Sequence, residues 1–125
     1  MTCKAAVASG LVIAVLVATS VRAQDDTPPG YKADPDTYKL VFEDTSFRIT
    51  AATWQPGQTD KPHSTLATAV AYALTDCSLR VAAPDGKFAY ITVRAGTAST
   101  VARSQSHTTT NVGTSVCRVL VIERK

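Results

Sequence analysis

His63 and His107 are the only imidazoles in the chain, and imidazole is the side chain best suited to bind a metal or carry a proton near neutral pH. His63 stands between Pro62 and Ser64-Thr65, and His107 sits in the run Ser104-Gln105-Ser106-His107-Thr108-Thr109-Thr110-Asn111. Two imidazoles alone make a weak metal site, because tight catalytic centres take about three protein ligands plus open positions. Asp60 and Tyr72 are the residues that could supply a third. Ser64 beside His63 is a local nucleophile–base pair without an orienting third group. Trp54 and Tyr72 would serve as core or as a ligand platform, and His107 as a ligand or an exposed turn residue. No Gly-rich phosphate loop, paired-carboxylate constellation or Cys-x-x-Cys is present.

The elements that must position these residues read as strands. Tyr38 to Phe42 is a short strand, and Ser46 to Trp54 alternates, with Phe47, Ile49, Ala51 and Thr53 on one face and Arg48, Thr50 and Ala52 on the other. Leu66 to Leu74 is alanine-rich but has no capping box and no C-terminal Gly, so it reads as strand, with Ala69, Ala71 and Ala73 sharing a face. Leu79 to Ala83 and Phe88 to Arg94 flank Pro84-Asp85-Gly86-Lys87, a hairpin connection. Asn111-Val112-Gly113 reads as another, with Asn and Gly tolerating positive φ. Val116 to Glu123 closes the chain, placing Val119 and Val121 on the face of Cys117. Short strands at this spacing predict an all-β sandwich or barrel.

The first 23 residues read as a signal peptide. Lys4 is followed by no charge until Arg22, and Leu11 to Ala18 is a dense apolar run of the length a secretory core needs and too short for a membrane span. Val21-Arg22-Ala23 predicts cleavage before Gln24, leaving 102 of the 125 residues. The expected location is secreted or periplasmic, without stable membrane anchoring after cleavage. Thirteen Lys and Arg against ten Asp and Glu give +3, but without Lys4 and Arg22 the balance is eleven against ten. The basic residues do not cluster, so a nucleic-acid partner is not indicated. Cys77 and Cys117 remain after cleavage. An even count in an exported chain favours one disulfide, with two buried free thiols as the alternative.

Two spacings carry a resemblance. Gly57, His63, Thr65, Ala69 and Asp76 fall, without insertion, on a motif of Gly, five residues, His, one residue, His, three or four residues, Glu, six residues, Gly. Gly96, Ala102, Ser104, His107 and Asn111 fall on a second, of Gly, five residues, Pro, one residue, Gly, two residues, His, three residues, Asn. Tyr72-Ala73-Leu74 stands where a Tyr-Val-Leu run is common. On these residues the chain resembles the cupins, and more specifically the small single-domain exported cupins whose last strand has a Val-Glu-x-Lys ending, here Val121 to Lys125. The resemblance implies a jelly-roll barrel over residues 38–125, after the signal peptide (1–23) and an irregular lead-in (24–37). It also implies that the strand ending near Cys77 runs antiparallel to the last strand, which starts near Cys117, so that the two cysteines pair.

In metal-bearing cupins the ligands are two His and one Glu of the first motif and one His of the second. The corresponding set here is His63, Thr65, Ala69 and His107, in which a hydroxyl and a methyl group replace two ligands, and neither is a good donor. The expectation is an exported, degenerate, non-catalytic cupin with no cofactor, or at most a weakly held divalent metal on His63 and His107. A small polar ligand would bind at a barrel mouth formed by His63, Thr65, Tyr72, His107 and Asn111. The alternatives are a divergent metal enzyme (oxygenase, isomerase or lyase) using His63 and His107, and an interaction module that forms a homodimer through an edge strand.

Overall fold

The computed structural model describes residues 27–125, so the signal peptide and its cleavage site lie outside the described residues. One helical turn, α1 (Gly30–Ala33), precedes nine strands: β1 (Tyr38–Glu43), β2 (Phe47–Trp54), β3 (His63–Thr65), β4 (Ala69–Ala73), β5 (Cys77–Ala82), β6 (Phe88–Val93), β7 (Ala98–Val101), β8 (Ser104–Asn111) and β9 (Cys117–Arg124). They form two antiparallel sheets, ordered β1-β2-β9-β4-β7 and β3-β8-β5-β6. The expected all-β jelly roll is what the chain forms. The lead-in, expected to be irregular, contains α1, whose Gly30 lies so close to the Tyr38 ring that a Cβ there would meet it at 3.0 Å.

Period-two alternation decides what faces inward. β9 turns Cys117, Val119 and Glu123 into the buried interior, and β2 turns in Thr50, Ala52 and Trp54. Ala69 and Ala73 of β4 are buried, with Ala71 packed against the core between them, as the alanine stripe predicts. The core gathers around Tyr38, Ala52, Trp54, Cys77, Leu79, Cys117 and Val119. Tyr38 meets Trp54 edge-on, ring centroids 5.6 Å apart. Across this end of the sandwich, Cys77 at the start of β5 is disulfide-bonded to Cys117 at the start of β9, with Cα atoms 5.1 Å apart. The bond therefore ties one sheet to the other, and β4 runs antiparallel to β9 as expected.

The β5–β6 connection is the expected hairpin, closed by Ala83 and Lys87 with Gly86 at φ +85°. Two readings change. The Ser/Thr-rich run around His107 is the eight-residue strand β8, so His107 is not a turn residue. Its inner positions, His107, Thr109 and Asn111, are all polar, so no apolar alternation betrays the strand. Asn111-Val112-Gly113 is not a hairpin either: β8 pairs with β3 and β5, while β9 belongs to the other sheet. The chain turns there on the Asn111 side chain, which accepts from the Gly113 N–H at 3.0 Å. Gly113 is not among the positive-φ residues.

Candidate functional site

Small side chains on β4 and β9 leave the interior unfilled beyond the core. Between the two sheets lies a cavity of about 650 Å³, walled by Ala71, Ala73, Leu79, Val81, Val119 and Val121. A volume of this size lies within the range of small-molecule pockets. Trp54 and Tyr38 close it on the core side, while Phe88 and Lys87 stand at its exposed rim. The polar part of the wall comes from β3 and β8: His63, Thr65, Ser104, Ser106, His107 and Thr109.

Register sets that polar patch. His63 pairs with His107 and Thr65 with Ser104, so β8 carries one residue more than β3 over this stretch. Such an irregularity turns both Ser104 and His107 toward the same space. The two imidazoles stack obliquely, centroids 4.2 Å apart. Their surroundings differ. His63 is buried, its Nε2 lies 3.0 Å from the Tyr38 hydroxyl, and its Nδ1 donates to the Lys61 carbonyl at 2.9 Å. His107 Nδ1 is buried with no hydrogen-bond partner in the protein. Burial, and then the neighbouring His63, hold the His107 pKa down at about 4, so this ring is neutral at pH 7.

Asp60 anchors the patch from behind. It is buried, and its Oδ2 accepts from the Tyr38 hydroxyl at 2.6 Å and the Trp54 indole N–H at 3.0 Å, while Oδ1 accepts from the Thr109 backbone N–H at 2.7 Å. Its Oδ1 also lies 3.7 Å from His63 Nδ1. Burial, and then the charge of Asp60, push the Tyr38 phenol well above the ordinary tyrosine range. Tyr38 is thus a permanent hydrogen-bonding group at pH 7. At the other limit of the cavity Glu123 faces inward, 3.6 Å from the Arg48 guanidinium. Arg48 also pairs with Glu43 at 3.1 Å and lies over the Tyr31 ring at 4.7 Å.

The expected mouth residues separate into two groups. His63, Thr65 and His107 come together on the cavity wall. Tyr72 does not join them: it lies between Ala71 and Ala73 on the opposite face of β4 and is 39% exposed. Asn111 is fully buried, donating from Nδ2 to the carbonyls of Trp54 (3.1 Å) and Ser115 (2.9 Å), so it clips chain segments together away from the cavity wall. Tyr38, Tyr31, Arg48 and Glu123 were not singled out as site residues. Nothing local in the sequence marks them, although the inward parity of Glu123 with Cys117, Val119 and Val121 was readable.

The ligand set suggested by the resemblance does not fit a metal. Both ring nitrogens of His63 are taken by Tyr38 and Lys61, Ala69 presents a methyl group, and Thr65 a neutral hydroxyl. Asp60, the substitute third ligand, is committed to three donors. Among the described residues no three His, Cys, Asp or Glu side chains form a group able to hold a metal ion.

No family model matches the chain, and no curated protein does. Solved structures do match. A cupin domain from Bordetella pertussis Tohama I superposes with a TM-score of 0.64 at 18% identity, over 70% of this chain and 91% of that one. A cupin superfamily protein from Desulfitobacterium hafniense DCB-2 gives 0.51 at 10% identity, over 70% and 74%. A conserved protein of unknown function from Streptococcus pyogenes gives 0.50 at 17%, over 70% and 72%. Their likeness to this chain is one of architecture, and with the two-sheet topology above it establishes that this chain has the cupin jelly-roll fold.

Proposed function

We propose that the domain is an exported, non-catalytic binding module whose cavity takes one small organic molecule. The observation that carries this reading is the unfilled 650 Å³ space between the sheets, kept open by Ala71 and Ala73 where larger residues would pack. Its wall combines aliphatic surface with a compact polar patch, the usual make-up of a ligand pocket. What weighs against a metal enzyme is the donor set, since His63 is held by its own protein partners. The wall also moves the expected ligand class, from polar toward mostly apolar with one polar group. Export is supported by the disulfide, which suits an oxidising compartment, and by the leader pattern of residues 1–23. Among the described residues no helix is long and apolar enough to cross a membrane.

The test is occupancy. Trp54 is the single tryptophan and borders the cavity, so its fluorescence reports binding there. An environment-sensitive apolar dye, 1-aminoanthracene, is expected to bind at one equivalent and to perturb Trp54. Ala73→Leu, which fills the space, is expected to weaken that binding at least tenfold while leaving the fold intact. Equal binding by Ala73→Leu would place the dye elsewhere and remove the basis of the reading.

A further inference from the structure

We propose that the free edge of β6 pairs, antiparallel, with β6 of a second copy of this chain, joining two four-stranded sheets into one. β6 runs from Phe88 to Val93, and its one strand neighbour among the described residues is β5. Its other side is open, with Phe88, Tyr90 and Ile91 53%, 68% and 43% exposed. Sheet edges ordinarily carry charges, bulges, a covering segment or very short strands that keep them from pairing. The other three edges have such protection. β1 shifts register between Leu40 and Phe42 and carries Lys39 and Glu43. β3 is three residues long and is met at Ser64 by Pro28 and Pro29. β7 has four residues. β6 has six in unbroken register, without a charge, Pro or Gly.

Hydrogen bonding fixes what this edge offers. The Ala83 N–H donates to the Lys87 carbonyl, and opposed residues of an antiparallel ladder alternate between bonded and non-bonded pairs. Followed along the register from that pair, Ala89, Ile91 and Val93 bond to β5. On the far side of β5 the Ser78 carbonyl accepts from the Val112 N–H, in agreement with this parity. The N–H and C=O groups of Phe88, Tyr90 and Thr92 therefore point away from the sheet. Such an edge is complementary to itself. A two-fold axis at Tyr90 sets Tyr90 against Tyr90 and Phe88 against Thr92, so the outward groups of all three residues find partners.

Charge selects this register and this occupant. With the axis at Tyr90, Arg94 of one copy falls opposite Gly86 of the other, beside Asp85, whose exposed carboxylate lies 3.8 Å from Lys87. With the axis at Ile91, Arg94 would fall opposite Phe88, where the Arg80 guanidinium already lies 4.4 Å over the ring. No charge lies within β6, so nothing repels along the seam. On the outer side Phe88 and Tyr90 stand edge-on, ring centroids 5.5 Å apart, and pairing brings the two Tyr90 rings alongside each other. The outer face of the larger sheet is also apolar, with Val70, Tyr72, Leu120 and Ile122, but Arg118 and Arg124 stand at the two ends of β9 there. Two copies packed across β9 would set these cations against each other.

The experiment is sedimentation equilibrium over a concentration series on the purified exported protein and on Tyr90→Lys, Tyr90→Glu and Val70→Lys. The parent is expected to be a dimer. Tyr90→Lys and Tyr90→Glu should each raise the dissociation constant at least tenfold, because the axis sets the new charge against its own copy. Tyr90 is 68% exposed, so both variants should keep the fold, and an equimolar mixture should regain the dimer through Lys–Glu pairing. Val70→Lys, on the outer face of the larger sheet, should leave the dimer intact. A parent that stays monomeric at every concentration, a dimer that survives both Tyr90 variants, a mixture that stays monomeric, or loss of the dimer in Val70→Lys would overturn the inference. Each of these outcomes leaves the binding reading to the dye titration, which tests the cavity separately.

Discussion

His63 and His107 face each other across the β3–β8 pair with ring centroids 4.2 Å apart, and the protein uses them in opposite ways. Both nitrogens of His63 are covered by protein groups, Nδ1 bonded to the Lys61 carbonyl and Nε2 3.0 Å from the Tyr38 hydroxyl, so the ring is part of the framework. His107 lines the cavity, and its Nδ1 is buried without a hydrogen-bond partner in the protein. One ring is fixed at both nitrogens by protein neighbours, and the other keeps a buried nitrogen without one.

The burial of His107 makes stability depend on pH. Unfolded, His107 takes up a proton near pH 6.5; folded, it does so only at about 4. Its contribution is therefore complete above pH 6.5 and is lost as the pH falls from 6.5 toward 4, on the order of 2 kcal/mol after allowing for partial water access. Glu43, held down at about 2 by hydrogen bonds from Arg48 and Lys125, loses its contribution from its ordinary 4.5 downward and so overlaps only the acid end of this window. Urea denaturation at pH 7 and pH 4.5 should show the loss, and His107→Leu should flatten it. An unchanged slope in that variant would refute the assignment.

The inter-sheet disulfide closes a loop with a sequence separation of 40. Chain-entropy arguments assign such a loop about 4 kcal/mol, with native strain lowering the realised value. Cys77→Ser with Cys117→Ser is expected to shift the guanidinium midpoint down accordingly, and dithiothreitol to reproduce the effect in the parent protein. A midpoint indifferent to both would mean that the core around Trp54 alone holds the sheets together.

Asp60 accepts from Tyr38, Trp54 and Thr109, which belong to three different strands. Removing it leaves a buried hydroxyl, an indole N–H and a backbone N–H without their acceptor, at about 1–3 kcal/mol for each. Asp60→Ala should lose on the order of 4 kcal/mol and perturb the near-ultraviolet dichroism of Trp54. A loss under about 1 kcal/mol would show that water replaces the carboxylate.

His63→Ala is expected to lower stability by about 2 kcal/mol through its bonds to Tyr38 and Lys61 and to leave metal content unchanged. Elemental analysis of protein purified by its native export route should find well under one equivalent of Mn, Fe, Ni, Cu or Zn. Stoichiometric metal that disappears in His63→Ala would restore the enzyme reading.

Much of the scaffold was legible before any coordinates. β2, β4, β5, β6 and β9 each carry a period-two pattern or clear turn residues at their ends, and backbone geometry leaves such a pattern few alternatives. The resemblance to the cupins implied that His63 and His107 meet, and together with the even cysteine count it favoured the Cys77–Cys117 pairing. β8 was hidden because its inner face is polar, so a buried strand there resembles a loop. Alternation also fixed that Ala71 and Tyr72 face opposite ways but not which of them faces inward, and packing against β5 and β9 gave the interior to alanine. The Asp60 hub lay beyond any local reading: its partners stand 22, 6 and 49 residues away. Whether a histidine is framework or open depends on who meets its two nitrogens, and for His63 one of those neighbours, Tyr38, is 25 residues distant. Sequence sets the faces of each strand; only the closing of one sheet over the other decides which polar atoms find partners and which are buried without one.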